Sequence, residues 1–259
     1  MNDPVLSKVY APVRQCIYCG DTTGPLGKEH IIPYGLDGGH VLPRASCPAC
    51  SRITGKVEEV CLRNLMGKMR ARLNLPTRSP QKRGSTLPLR LCSRVDGRDT
   101  ERILPIEEFP VFITGYLMPP PGILRGQPES TTLENGVKFW IQPDQKAAAI
   151  AGSEWQIPFD IDPDTFGRLI AKIAHSFAVA ELGLSRFQPM LLDMILGRTE
   201  TGFGHLVGRS PERPPDDNTA LHFMRVYNEQ TPIGHCLMAE IRLFCCFGAP
   251  TYFVVVGKL

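Results

Sequence analysis

No run of apolar residues approaches the roughly 20 needed to span a bilayer, and the opening residues Met1-Asn2-Asp3-Pro4 carry no apolar signal segment. Both shortages set aside a membrane protein and a secreted one, and the expected compartment is the cytoplasm. Nine cysteines, an odd number, do not make a full disulfide framework. No segment repeats itself. The third shortage is local: there is no acidic residue at all between Val60 and Val95, where nine Lys or Arg occur. From Asp96 onward 14 basic residues face 20 acidic ones, so the chain's modest +3 hides a strong asymmetry. With 259 residues, 42 % of them hydrophobic, the chain can bury a sizeable core in one or two domains.

The cysteines are unevenly placed. Cys16-Ile17-Tyr18-Cys19 and Cys47-Pro48-Ala49-Cys50 are two Cys-x-x-Cys knuckles that bracket Lys28-Glu29-His30-Ile31-Ile32-Pro33. Each knuckle holds two thiolates within about 4 Å, and two knuckles supply the four tetrahedral ligands of a structural Zn²⁺ at about 2.3 Å. With four thiolates in place, that zinc is a staple. The chemistry then falls to Glu29-His30, because a carboxylate can hold a hard cation while an imidazole accepts a proton near neutral pH. The other five cysteines, Cys61, Cys92, Cys236, Cys245 and Cys246, sit among apolar residues and read as small buried hydrophobes.

Cys16-x-x-Cys19, Glu29-His30-Ile31-Ile32-Pro33, Gly38-Gly39 and Cys47-x-x-Cys50 followed by Gly55-Lys56-Val57-Glu58 together resemble the zinc-stapled branch of the HNH endonucleases. The resemblance covers residues 14–66. It implies a ββα-metal finger and hydrolysis of phosphodiester bonds in nucleic acid, with DNA the expected substrate, assisted by one Mg²⁺ or Mn²⁺. His30 would be the general base and Glu29 a ligand of that cation, with Cys16, Cys19, Cys47 and Cys50 on the zinc. The family's Asn or His after the last cysteine is Ser51 here, and its middle Asn is missing, with His40 the nearest polar substitute. On a helix starting near Cys50, Ser51, Gly55 and Glu58 share one face, so Glu58 could reach the cation as well.

The basic stretch follows directly, and phosphate contacts are expected from Lys68, Arg70, Arg72, Arg78, Lys82 and Arg83. The competing reading is a solvated basic face, attached to a catalytically inactive zinc module that binds nucleic acid or a protein.

The overall expectation is an α+β protein: a finger over residues 1–75, a Pro/Ser/Lys/Arg-rich linker over 76–86, and a larger α+β domain over 87–259. That last part has no motif, and a homo-oligomer contact or a protein partner would be sought there. A helix is expected over 51–73, a hairpin over 87–104, strands over 109–117 and 137–141, and a shorter helix over 189–196. A polar loop over 211–218 leads to strands over 221–227, 237–247 and 251–256. The clearest helix spans 164–182, with Phe166, Leu169, Ile170, Ile173 and Phe177 on one apolar face; Arg168, Lys172 and His175 fall off it, toward solvent. His205, His222 and His235 lack ligand spacing and read as structural.

Overall fold

A computed structural model describes residues 7–116, 118–127, 137–141, 155–156, 163–199, 202–209 and 220–259, and the chain is mixed α+β. Strands β1 (Lys8–Val9), β2 (Gly27–His30) and β3 (His40–Ser46) form one small sheet. In it β3 is central, parallel to β1 and antiparallel to β2. The return from β2 to β3 requires Gly38, because a Cβ there would lie 2.0 Å from the Ile32 carbonyl oxygen. Helix α1 (Pro48–Val60) follows at once. Cys47 caps it by accepting from the Cys50 amide at 3.5 Å, and Pro48 occupies the first turn, where an amide proton is dispensable.

The helix expected over 51–73 is broken in two. It widens into a π-helical turn over Cys61–Leu65 and resumes as α2 (Gly67–Arg72). The widening coincides with the Leu62 carbonyl accepting from the Arg70 guanidinium at 3.1 Å.

The hairpin β4 (Thr86–Ser93) and β5 (Asp99–Pro105) lies where expected. Strands β6 (Phe112–Tyr116) and β7 (Val137–Ile141) pair antiparallel, and β8 (Trp155–Gln156) adds to the free edge of β4. Helix α3 (Pro163–Leu182) is followed by β9 (Gln188–Pro189) and a short α4 (Leu192–Leu196). The sheet that closes the chain is antiparallel, in the order β10 (Val207–Arg209), β13 (Tyr252–Lys258), β12 (Gly234–Leu243), β11 (His222–Thr231), with β9 on the end of β13. Strand β12 begins earlier than the expected residue 237, because Thr231 closes the hairpin on the Gly234 carbonyl at 2.8 Å. It also stops sooner. Phe244 takes a left-handed φ of 62° and starts a 3₁₀ turn over Cys245–Phe247. The loop expected over 211–218 lies outside the described residues.

Helix α3 packs on β11, β12 and β13 with one side and on α1 with another. Here one expectation is corrected: Lys172 and His175 are not solvated, being 1 % and 0 % exposed. A helix held between two layers has no solvent face in its middle turns, so Lys172 and His175 meet the first sheet, α1 and the first knuckle instead, while half-buried Arg168 donates to the Ile195 carbonyl. Buried apolar side chains from Cys16 to Val256 form one continuous cluster, with a small satellite of Leu89, Leu91, Phe109 and Phe112. Among the described residues no helix is long and apolar enough to cross a membrane.

Candidate functional site

The two cysteine knuckles come together. Gly20, at φ 80°, closes the first through its amide on the Cys16 carbonyl at 2.9 Å. The Ile17 amide ties that turn to the Ala45 carbonyl at the end of β3, 2.9 Å away. The second knuckle is the cap of α1. As a result the Sγ atoms of Cys16, Cys19, Cys47 and Cys50 all lie within 4.8 Å of one another. A tetrahedral ion with about 2.3 Å metal–sulfur bonds needs sulfurs about 3.8 Å apart, so the donor set fits a structural metal. All four cysteines are free thiols. Burial raises the Cys47 thiol, but the Cys50 amide and the neighbouring thiols outweigh it and bring it down to about 7, whereas burial and the same neighbours hold Cys19 and Cys50 above their ordinary values, so Cys47 is the first of these three thiols to ionise.

Beside this cluster, β2 alternates in the usual way: Glu29 points inward and is 5 % exposed, while His30 is half-buried at the wall of a cleft. The cleft has a volume of ≈ 520 Å³, and His30, Ser51, Glu58 and Glu29 all line it. Helix α1 supplies Ser51 and Glu58 on one face, as their spacing predicts. Lys28, Arg63, Arg70 and Arg78 bring positive charge to the same cleft, and Glu59, 2.9 Å from Arg63, lines it too. Burial, then Lys28 and Lys172, hold His30 below its ordinary value, so at pH 7 it is a neutral base. Its Nδ1 is buried without a hydrogen-bond partner among the described residues.

The two carboxylates converge, but on an ammonium group. Lys172 of α3 places Nζ 2.6 Å from Glu29 Oε1 and 2.9 Å from Glu58 Oε1. Nζ also donates to the carbonyls of His30 and Ile31, the latter at 3.2 Å. Burial alone would lower the lysine; Glu29 and Glu58 outweigh it and raise it above its ordinary value. Burial likewise pushes the Glu29 carboxyl up, and Lys172 offsets only part of it, so the group stays above its ordinary value. These residues do not fit a divalent cation as they stand. An ion on both carboxylates would sit about 4 Å from the ammonium, a repulsion of about 8 kcal/mol at an effective dielectric of about 20. Ser51 offers only a neutral hydroxyl, and His40 is engaged elsewhere, its Nδ1 3.0 Å from the Tyr10 hydroxyl.

Two further side chains of α3 reach the first knuckle. His175 Nε2 lies 2.8 Å from the Ile17 carbonyl oxygen, and the Ser176 hydroxyl is 3.2 Å from that of Tyr18. Nothing in the finger's own sequence points to them. The available signal was in α3 itself, where a lone lysine stands among Ile170, Ala171, Ile173 and Ala174.

The six expected phosphate contacts divide. Lys68, Arg78 and Lys82 are exposed, and Arg78 lines the cleft. Arg70 instead donates to the carbonyls of Gly35 (2.6 Å), Leu62 (3.1 Å) and Pro76 (3.1 Å). Arg72 donates to Phe109 O at 2.7 Å, and Arg83 to Asn74 and to Leu75 O. A cation committed to backbone carbonyls is a brace first. His222 is structural as expected: Nε2 lies 2.6 Å from Leu36 O, and Nδ1 accepts from the Phe244 amide at 3.2 Å. His205 is buried and His235 exposed.

Comparison of the chain with protein-family models, curated proteins and solved structures gave no match.

Proposed function

We propose that this chain is a zinc-stapled endonuclease of the HNH type that hydrolyses phosphodiester bonds in nucleic acid, DNA first. The observation that carries the proposal is the convergence of His30, Ser51 and Glu58 on one cleft rimmed by Lys28, Arg63 and Arg78. The antiparallel β2–β3 pair running into α1, with a thiol cluster at the helix start, supports the reading. Zn²⁺ is the metal that four thiolates suit, as a staple.

In this reading the rim cations neutralise a bound phosphodiester, and neutral His30 takes a proton from a water as that water's oxygen attacks phosphorus. A new P–O bond forms, the bond to the ester oxygen breaks, and the leaving oxygen acquires a proton from solvent. No step is routed through Mg²⁺ or Mn²⁺, since Lys172 already engages the carboxylates that would hold it. The test is nicking of supercoiled plasmid, and cleavage of RNA, with and without added divalent ions. His30→Ala should lower the rate by about 10²- to 10⁴-fold while zinc content and DNA binding stay near normal. An equally active His30→Ala protein would overturn the assignment.

A second reading is favoured by the same lysine together with Ser51: a zinc module that binds nucleic acid or a protein without cleaving it. Absence of cleavage under every ion tested, with DNA binding retained, selects that reading.

A further inference from the structure

We infer that the Lys172 ammonium is the resident cation of this cleft, standing between Glu29 and Glu58 where a divalent ion would otherwise bind, so that the site holds no Mg²⁺ or Mn²⁺ and works without one. The part about work rests on the hydrolase proposed above; the part about ion binding does not.

Four oxygens surround Nζ: one from each carboxylate and the carbonyls of His30 and Ile31. An ammonium has three protons to donate, so this shell leaves it nothing to seek from solvent. The lysine cannot readily withdraw. Its helix is buried on both sides, and its neighbours Ala171 and Ile173 are 0 % exposed. Glu29, at 5 % exposure, is nearly closed to an ion arriving through the cleft. The charges point the same way: two carboxylates and one ammonium leave a single negative charge in a cleft that Lys28 and Arg78 also line, while Arg63 there is paired with Glu59 at 2.9 Å. Because Nζ bonds the carbonyl of His30 itself, the same group fixes the backbone that carries the proposed base. Lys172 is therefore a positioning residue. It touches no substrate, and it acts through Glu29, Glu58 and His30.

The test uses the full zinc-loaded chain and Mn²⁺ as the probe, followed by electron paramagnetic resonance. The unmodified protein and Glu58→Gln should show the same weak Mn²⁺ binding. Lys172→Met should tighten Mn²⁺ binding by about 10²-fold or more, since removing a like charge at such distance is worth at least that, and adding Glu58→Gln should abolish the gain. In metal-depleted buffer, with one zinc per chain verified, cleavage by the unmodified protein should change less than twofold on adding Mg²⁺. Tight, Glu58-dependent Mn²⁺ binding by the unmodified protein overturns the inference, as does cleavage that appears only with Mg²⁺. A folded Lys172→Met that gains no Mn²⁺ overturns it too. If Lys172→Met does not fold, the comparison with Glu58→Gln decides alone. If no ion and no substrate give cleavage, the hydrolase reading fails while the resonance experiment still judges the lysine.

Discussion

Arg70→Ala separates a brace from a phosphate contact. The guanidinium holds three carbonyls from three places: Gly35 after β2, Leu62 in the π-helical turn, and Pro76 beyond α2. Taking about 1 kcal/mol for each, the value of an ordinary hydrogen bond rather than a fully charged one because the side chain is only half-buried, truncation should cost about 3 kcal/mol. For a cooperative unit of this size that lowers Tm by about 6–12 °C, measurable by calorimetry or circular dichroism. Arg70→Lys should recover little of it, since one ammonium cannot span three separate carbonyls as a planar fork does. Arg78→Ala is the control. It removes an exposed cation on the same cleft, so it should leave Tm nearly unchanged and flatten the salt dependence of duplex binding by a slope of about 0.9. An Arg70→Ala protein with unchanged Tm, and a salt slope reduced as in Arg78→Ala, would refute the reasoning.

Two further outcomes follow from the staple and from the buried histidines. Because thiolate coordination is itself folding free energy, Cys47→Ser should lose zinc and destabilise the finger by several kcal/mol, read by elemental analysis and proteolysis; a metal-free finger that resists protease would contradict this. Burial pushes His175 and His222 down to about 4, so between that value and the ordinary 6.5 the unfolded chain binds more protons than the folded one. Stability is then full above about pH 6.5 and falls as pH drops, by about 2 kcal/mol per histidine at pH 5. A urea midpoint independent of pH from 7 to 5 would show that these rings are not buried neutral.

The parts legible in the sequence are those written in local spacing. Two Cys-x-x-Cys knuckles can mean little else than four thiols at one point, and the interval from Ser51 to Glu58 puts both on one face of a helix. The hairpin of β4 and β5 is marked by Asp96-Gly97-Arg98-Asp99. The partners of Lys172 were not legible, although the lysine itself stood out among apolar neighbours, for a definite reason: helical periodicity reports which residues share a face, and a helix between two layers has a second buried face whose partners lie some 140 residues earlier in the chain. The basic stretch hides contacts in the same sense. Counting charge over residues 60–95 shows where cations are, yet Arg70, Arg72 and Arg83 also donate to carbonyls, which no count of side-chain charge records.

The row Lys172, His175 and Ser176 has a consequence for modularity. Compact metal fingers are commonly thought of as cartridges that can be grafted from one protein to another. The N-terminal cysteine-bearing unit of this chain would not travel well. Moved away from α3, Glu29 would be left as a buried anion without its counter-ion, and the Ile17 carbonyl and Tyr18 hydroxyl would each lose a partner. Breaking such a buried pair costs about 3–5 kcal/mol, a large part of what holds a whole domain together. A graft that works would have to carry α3 along, or replace Glu29 by a residue that needs no cation. Over evolutionary time positions 29, 58 and 172 should change as a set.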